Sequence, residues 1–419
     1  MRLNENMNNL LFHHYTPIKE HPNWTDLKKE ADLMARKILE HLTIYTPMNR
    51  MKLMKRRVLA IIKTVKNLIR NKYKMARMDH DFIPLFYIWT MTNACNFKCN
   101  YCSNHRGGKY PDLYREGLRK NLTTEQGKQL IKVMKESSAI YYCGGEPTLR
   151  RDLPELLNYS TKLNMFNMIN TNGSLIGDLL LKPAYKDFLM QMDVVIISLD
   201  SLEIPKLARM YDVSESAARK VLRNILLLNT LREYVPFKLV ANTVITQETV
   251  ADSFDILDFC NDLGITFSPV AMNIGHQPDA KLLAGPEYTR LVNLILERAQ
   301  YGYPMIASTN MLEKLLFAKF TDCYPTVFDH VDFNGRMFWP CKTYDHALKI
   351  NMLNYKNVQE AHAAAARQIN PDFFHGTGQG KCNGSCAWMQ DCVTDFYANA
   401  LIRGFFGSKI FSEIGGLIN

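Results

Sequence analysis

The central part of this 419-residue sequence predicts an α/β fold with a parallel sheet. Two observations carry that expectation. Six short apolar runs, rich in β-branched and aromatic residues, recur from residue 84 onward: "PLFYIWTM" (84–91), "AIYYC" (139–143), "FNMINT" (166–171), "DVVIISLD" (193–200), "FKLVANTVI" (237–245) and "ITFSPV" (265–270). Helix-like stretches separate them at 124–137, 152–164, 214–231 and 249–263. Strand alternating with helix means right-handed βαβ crossovers. Six strands suit an open or partial barrel, a TIM-like (β/α)6 unit, better than a closed eight-stranded one.

Around this unit the chain divides into four parts. Residues 1–80 read as a helical extension, 81–300 as the barrel, 301–395 as a cysteine-rich subdomain, and 396–419 as an apolar tail with few charges. The extension holds one helix near 24–43 and then a basic segment. Residues 41–78 contain eleven Lys and Arg and no Asp or Glu. Removing those eleven from the chain's 51 basic residues leaves 40 against 41 acidic ones, so the net charge of +10 resides in this segment. Met54, Val58, Ile61, Val65 and Leu68 recur at helical spacing, with Ile62 and Ile69 widening that face and most Lys and Arg on the other side. Three readings stay open: a helix packing its apolar face on the core, adsorption to an anionic membrane surface, or nucleic-acid binding. The last is disfavoured, because the segment has only Tyr45 and Tyr73 for base stacking.

Composition is that of a folded protein, with 47% hydrophobic and 22% charged residues. The start lacks a secretory pattern, and no apolar run reaches the ~18 residues of a membrane span. Ten cysteines in such a chain favour metal or redox chemistry over disulfides. A cytoplasmic protein is expected, with peripheral membrane association open.

The chemistry concentrates in two motifs. "TNACNFKCNYCSN" (92–104) places Cys95, Cys99 and Cys102 directly after the first strand, where a parallel barrel carries its active-site loops. Three thiolates can hold three irons of a [4Fe–4S] cluster and leave the fourth iron open. A zinc knuckle with His105 as fourth ligand is the competing reading. "YYCGGEP" (141–147) puts Gly144, Gly145, Glu146 and Pro147 at the end of the second strand, where two glycines let backbone approach a ligand closely. Cys143 reads as a small buried hydrophobe in that strand, and Cys260 as core.

In this order and context the two motifs resemble the radical S-adenosylmethionine (SAM) superfamily over residues 84–275, with Tyr101 in the aromatic slot of the cysteine pattern. The resemblance implies that the open iron binds the amino and carboxylate groups of SAM. Gly144, Gly145 and Glu146 would receive the amino group, and Tyr101 would lie near the adenine. Asn172, Ser198 and Asp200, with Asn242 on the fifth strand, would meet the carboxylate or ribose. It further implies an external electron donor of flavodoxin or ferredoxin type, reductive cleavage of SAM to a 5′-deoxyadenosyl radical, and hydrogen abstraction from a substrate. A non-enzymatic zinc scaffold is the alternative of a different class.

Beyond the barrel, Cys323, Cys341, Cys382, Cys386 and Cys392 resemble a SPASM-type (auxiliary-cluster) extension. Five such residues suffice for one further [4Fe–4S] cluster, with zinc the competing metal. That extension implies a peptide or protein substrate. The basic N-terminal segment suggests instead a lipid or isoprenoid.

Overall fold

The structure is a computed structural model that describes residues 24–77, 79, 81–102, 121–274, 277–319, 322–324, 327–342, 347–368 and 377–378. The expectations placed on His105, Cys382, Cys386, Cys392 and the tail 396–419 lie outside these residues.

All six expected strands form, each within two residues of its predicted bounds: β1 (Phe86–Thr92), β2 (Ala139–Gly144), β3 (Phe166–Thr171), β4 (Val194–Ser198), β5 (Lys238–Ile245) and β6 (Thr266–Ala271). They lie in sequence order and every neighbouring pair is parallel. The crossover helices are α3 (Thr124–Met134), α4 (Leu153–Lys162), α6 (Glu215–Leu231) and α7 (Val250–Leu263), with α5 (Ile204–Tyr211) preceding α6. Local chemistry sets their ends. Thr123 and Gln126 form a reciprocal capping box at α3, Ser214 caps α6, and Gly264 terminates α7 at φ +60°.

The sheet does not stop at β1. Three strands from beyond residue 320, β7 (Phe328–Val331), β8 (Arg336–Trp339) and β9 (Leu348–Asn351), extend it to nine in the order β9-β8-β7-β1-β2-β3-β4-β5-β6. β7 joins β1 in parallel, and β8 and β9 follow as antiparallel ribbons. The sequence of 301–395, read as a cysteine-rich subdomain, shows no sign of these strands. These four-residue strands are too short to show a period, and only their pairing to the buried β1 makes them strands. Helix α10 (Val358–Ala366) covers them, with His362 and Asp329 paired at 2.7 Å in full burial. Between β6 and β7 lie α8 (Pro286–Gln300) and α9 (Thr309–Leu316).

The strands sort their side chains by alternation. Tyr87, Trp89, Ile140, Tyr142, Ile169, Val195, Ile197 and Leu239 face the helices and are buried. The opposite face lines the barrel lumen. Its lower layer is apolar, with Val194, Ile196 and Val240 packed against Tyr141, Phe166, Met168 and Ile306.

The N-terminal helices attach differently. α1 (Trp24–Leu39) buries Leu27, Ala31, Ala35 and Ile38, chiefly against α6. α2 (Pro47–Ala76) is a 30-residue strap across the loops that enter the strands. Arg57 reaches the Pro236 carbonyl at 2.7 Å, before β5, and Arg56 and Arg57 both meet Asp193, before β4. Lys63 donates to the carbonyls of Lys135 (2.7 Å) and Leu163 (3.3 Å), which follow the last turns of α3 and α4. Asn67 donates to the Glu136 carbonyl, and Asn71 exchanges two hydrogen bonds with Ile83 before β1. Leu68 packs with Leu85, Val327 and Phe328. The floor of a parallel α/β unit gathers helix C-termini, with free carbonyls and the negative ends of helix dipoles. A cationic helix face fits that floor. Arg70 and Lys74 pair with Asp81 and Asp79 just past the helix, so with Arg56, Arg57 and Lys63 five of the segment's eleven positive charges are spent on the fold itself.

Candidate active site

β1 ends in a bulge between Thr90 and Thr92, and the chain then turns into the cysteine loop. Thr92 Oγ1 accepts from the Ala94 amide at 3.1 Å, and the Phe97 amide meets Cys95 Sγ at 3.4 Å. Phe97 is buried and packs on the Tyr211 ring at 5.4 Å. The Lys98 and Asn100 amides donate to the Tyr211 and Met210 carbonyls at 3.0 and 2.9 Å, tying the loop to the end of α5. The Cys102 amide donates to the Cys99 carbonyl at 3.1 Å, so these cysteines face one another across a tight turn.

The glycine turn is locked to this loop. The Gly145 amide donates to the Thr92 carbonyl and the Glu146 amide to the Ala94 carbonyl, both at 2.8 Å. A Cβ at Gly144, whose φ is +140°, would stand 2.4 Å from Thr92 O, and one at Gly145 would stand 2.2 Å from Ala94 O. The two glycines are thus required by backbone packed on backbone, a reason the motif alone does not disclose.

Glu146 is fully buried, and its carboxylate is a brace. Oε1 accepts from the Thr148 amide (2.9 Å), the Thr148 hydroxyl (2.5 Å) and the Thr171 hydroxyl (2.7 Å), and Oε2 accepts from the Asn172 amide (2.7 Å). Burial raises its pKa, against the pull of those donors. Asn172 in turn donates to Asn96 Oδ1 at 2.9 Å and accepts from the Ser174 amide and hydroxyl. Asp200, also fully buried, accepts from the Tyr101 hydroxyl, from Tyr211 at 2.9 Å and from the Val244 amide at 2.7 Å. Burial pushes its pKa up to about 6. Glu146 and Asp200 therefore act here through their side chains on the loop and its neighbours: one fixes the glycine turn to β3, the other fixes Tyr101.

Ser198, the last residue of β4, is the register partner of Asn242 within β5, and Asn242 Oδ1 accepts from Ser268 on β6 at 3.1 Å. They form a polar row on the lumen side, below the rim. Three members of that wall escaped the sequence reading: Thr90, Asn170 and Ser268. Their signal was available as alternate positions on the predicted strands. Asn170 Oδ1 is buried without a hydrogen-bond partner among the described residues, a polar atom aimed into the lumen. Arg150 was also missed. It is buried and binds the Met91 and Leu122 carbonyls at 3.0 Å each, holding the end of β1 to the turn after β2. Cys143 is corrected: it is half-buried on the lumen side, opposite Thr90, rather than sealed in the core. Cys260 is buried as expected.

The three loop thiols suit a cluster. Burial pushes Cys95 up to about 11 and raises Cys99 further, and in both cases neighbouring cysteines add to the rise. Three mutually close thiols in a half-buried loop ionise only against a multivalent cationic centre. Among the described residues no three His, Cys, Asp or Glu converge as ligands of a single metal ion. A cubane asks for something else, since each thiolate holds a different iron. Cys341 follows the end of β8, and Cys323 precedes β7 in a two-residue strand paired with Thr377–Gly378. The β7–β8 hairpin, turned at Gly335 with φ +76°, thus brings Cys323 and Cys341 to one end of the ribbon.

A partial parallel barrel, with a three-cysteine loop locked to the next strand's glycine turn, defines a protein that holds a metal cluster at its strand C-termini. The particular family follows from comparison. Residues 89–260 match the Radical SAM superfamily, whose members use a [4Fe–4S] cluster and SAM. A 91-residue stretch is 41% identical to the Fe-coproporphyrin III synthase of Methanosarcina barkeri, covering 21% of each chain. Over 221 residues the chain is 28% identical to the S-adenosylmethionine-dependent nucleotide dehydratase of Flammeovirga pacifica, covering 50% of this chain and 70% of that one. The curated relatives are thus matched over about a fifth to seven-tenths of their length. Among solved structures, Streptococcus suis SuiB bound to precursor peptide SuiA is similar at a TM-score of 0.52 and 17% identity, over 80% of this chain and 76% of that one. That likeness is one of fold.

Proposed function

We propose that the chain is a radical SAM enzyme that abstracts hydrogen from a peptide or protein substrate. The observation that carries the reading is the pair of backbone hydrogen bonds from Gly145 and Glu146 to Thr92 and Ala94, which makes one site of two motifs fifty residues apart. Cys95, Cys99 and Cys102 would hold the cluster, and the rim residues Gly144, Asn172, Ser198 and Asn242 stand where SAM would bind. When bound, cluster and SAM together supply one-electron reductive cleavage and a hydrogen-abstracting radical; an external flavodoxin- or ferredoxin-like donor supplies the electron.

The protein's own part is positioning and dryness. Asp200 orients Tyr101 beside Cys99, and Glu146 and Arg150 keep the turn and the end of β1 from moving apart. The apolar lower lumen and the α2 strap keep water from entering through the floor. Substrate would enter the lumen and meet Thr90, Cys143 and Asn170 near the rim. Cys323 and Cys341, with two of Cys382, Cys386 and Cys392, would hold an auxiliary cluster. The peptide reading draws on that cysteine set and on the likeness to SuiB, a protein solved with its precursor peptide SuiA.

The test is anaerobic reconstitution with reductant and SAM, followed by assay for 5′-deoxyadenosine. The parent chain should form it and Cys99→Ala should not. A Cys99→Ala chain that cleaves SAM like the parent overturns the site. Iron–sulfur absorbance that survives in the Cys95/Cys99/Cys102 triple alanine variant supports the auxiliary cluster. Its complete loss refutes that part.

A further inference from the structure

The strap helix α2 sits on the barrel floor with a mixed polar and apolar side inward and a second apolar side outward. Its buried positions are Leu53, Arg56, Ala60, Asn67, Leu68 and Asn71. The outward positions Met51, Met54, Val58, Ile62, Ile69 and Tyr73 recur at three-, four- and seven-residue steps and are 46% to 71% exposed. Of the apolar face read from the sequence, Leu68 packs on the core, whereas Met54, Val58, Ile62 and Ile69 stay outward because polar positions of α2 take the floor's carbonyls. A ridge from Met51 to Tyr73 runs about 33 Å at the helical rise. Arg50, Lys52, Lys55 and Lys66 are exposed along its flanks, and α2 has no acidic residue.

We infer that this ridge is a docking surface for an anionic lipid bilayer. Three observations favour lipid over a protein partner. Contacts between proteins are depleted of lysine, whereas here lysines border the apolar ridge with stems that reach along it. The charge carried by α2 beside the ridge is of one sign, complementary to anionic headgroups. The ridge is a single convex helix lying flat on the body, the shape of an interfacial helix and not of a groove.

The geometry also fixes an orientation. α2 contacts the loops at the strand N-termini, and the cysteine loop, glycine turn, Asn172 and Asp200 all follow strand C-termini. A chain docked through α2 turns its barrel mouth away from the bilayer. Such an enzyme works beside the membrane on a substrate that comes from the aqueous side. This counts against the lipid or isoprenoid substrate that the basic segment first suggested.

The experiment is flotation of the anaerobically purified full-length protein with vesicles of phosphatidylcholine, with and without phosphatidylglycerol. The parent should float with the anionic vesicles alone, and less at high salt. Val58→Ser, Ile62→Ser and Ile69→Ser together should lower partitioning by roughly tenfold or more. Lys52→Ala, Lys55→Ala and Lys66→Ala should each lower it about fivefold. An unchanged circular dichroism spectrum shows that these exposed substitutions leave the fold intact. Bromine-labelled lipids should quench a tryptophan at Ile62 (Ile62→Trp) and not one at Ile274 beyond β6 (Ile274→Trp). A parent that stays unbound with anionic vesicles overturns the inference. So does a triple serine variant that floats like the parent, which would move the role to another segment such as 396–419. A parent dimer that the serine variant converts to monomer would make the ridge an interface between two copies, again overturning it. Each readout is independent of SAM cleavage, so failure of the proposed activity leaves the flotation result interpretable.

Discussion

Gly145→Ala isolates the joint between the two motifs. The added Cβ would stand 2.2 Å from Ala94 O, 2.6 Å from Ala94 C and 2.8 Å from Asn93 O, all backbone atoms of the cysteine loop. No rotamer relieves such contacts, so loop and turn must separate by about 1 Å. That separation stretches or breaks the Gly145–Thr92 and Glu146–Ala94 hydrogen bonds, both 2.8 Å. Each buried group left unpaired costs about 1–3 kcal/mol, or roughly 2–6 kcal/mol for the pair. A displacement of about 1 Å at reacting groups can cost roughly a hundredfold in rate. The expected outcome is a folded protein with lowered iron content and 5′-deoxyadenosine formation reduced about a hundredfold. The control is Gly302→Ala, where φ is +84° but no atom lies within 4 Å of the added Cβ. It should cost about 1 kcal/mol of stability and leave cluster and rate untouched. Parental iron content and rate in Gly145→Ala would refute the claim that this glycine exists to let the turn touch the loop.

Other perturbations probe the frame. Asp193 is fully buried and meets Arg56 and Arg57 at 2.9 and 3.0 Å, so Asp193→Ala leaves two guanidinium groups without their buried counter-charge. A loss of about 3–5 kcal/mol is expected in denaturant unfolding, and less than 1 kcal/mol would show that α2 is held by other contacts. Burial, with the carboxylates of Asp252, Asp258 and Glu203, pushes Asp255 up to about 6. A carboxylate whose folded pKa exceeds its unfolded one stabilises the fold below the unfolded value and loses that contribution as pH rises through about 6. Asp255→Asn should therefore raise unfolding stability at about pH 8 and not at about pH 4, by roughly 1 kcal/mol or less because the site is exposed. An equal gain at both pH values would refute the electrostatic cause. Cys143→Ser should retain SAM cleavage, since the thiol lies on the lumen wall and outside the cluster loop; loss of the cluster in that variant would assign Cys143 to the metal.

The barrel strands were legible because each carries its own period and its own flanking turn. "DVVIISLD" is apolar on both faces, and the helices cover one while the apolar layer of the lumen takes the other. β7 and β8 were illegible for the converse reason. "FDHV" and "RMFW" have four residues each, and Asp329 is tolerated in a buried strand only because His362, thirty-three residues later, pairs with it. The same limit applies inside the site. Cys95, Cys99, Cys102 and the glycine turn could be read from spacing. Arg150 and Asn170 could not, because their roles depend on which carbonyl or lumen position the fold brings to them.

The strap helix shows how far periodicity can carry a reading and where it fails. A hydrophobic stripe at helical spacing establishes that α2 has two faces, yet it does not tell which face the fold takes inward. Burying Val58, Ile62 and Ile69 would gain about 1.5–3 kcal/mol each. It would also turn Lys63, Asn67 and Asn71 away from the floor, leaving the carbonyls of Lys135, Leu163, Glu136 and Ile83 without these donors. Asp193 would lose both guanidinium partners. Five to six broken polar contacts at about 1–3 kcal/mol each outweigh or match the apolar gain. The observed face is then favoured further if the exposed ridge finds its own apolar environment. On this accounting a bilayer supplies that environment after the floor has used the polar face. The two faces of α2 thus answer to two different surfaces, one within the protein and one outside it.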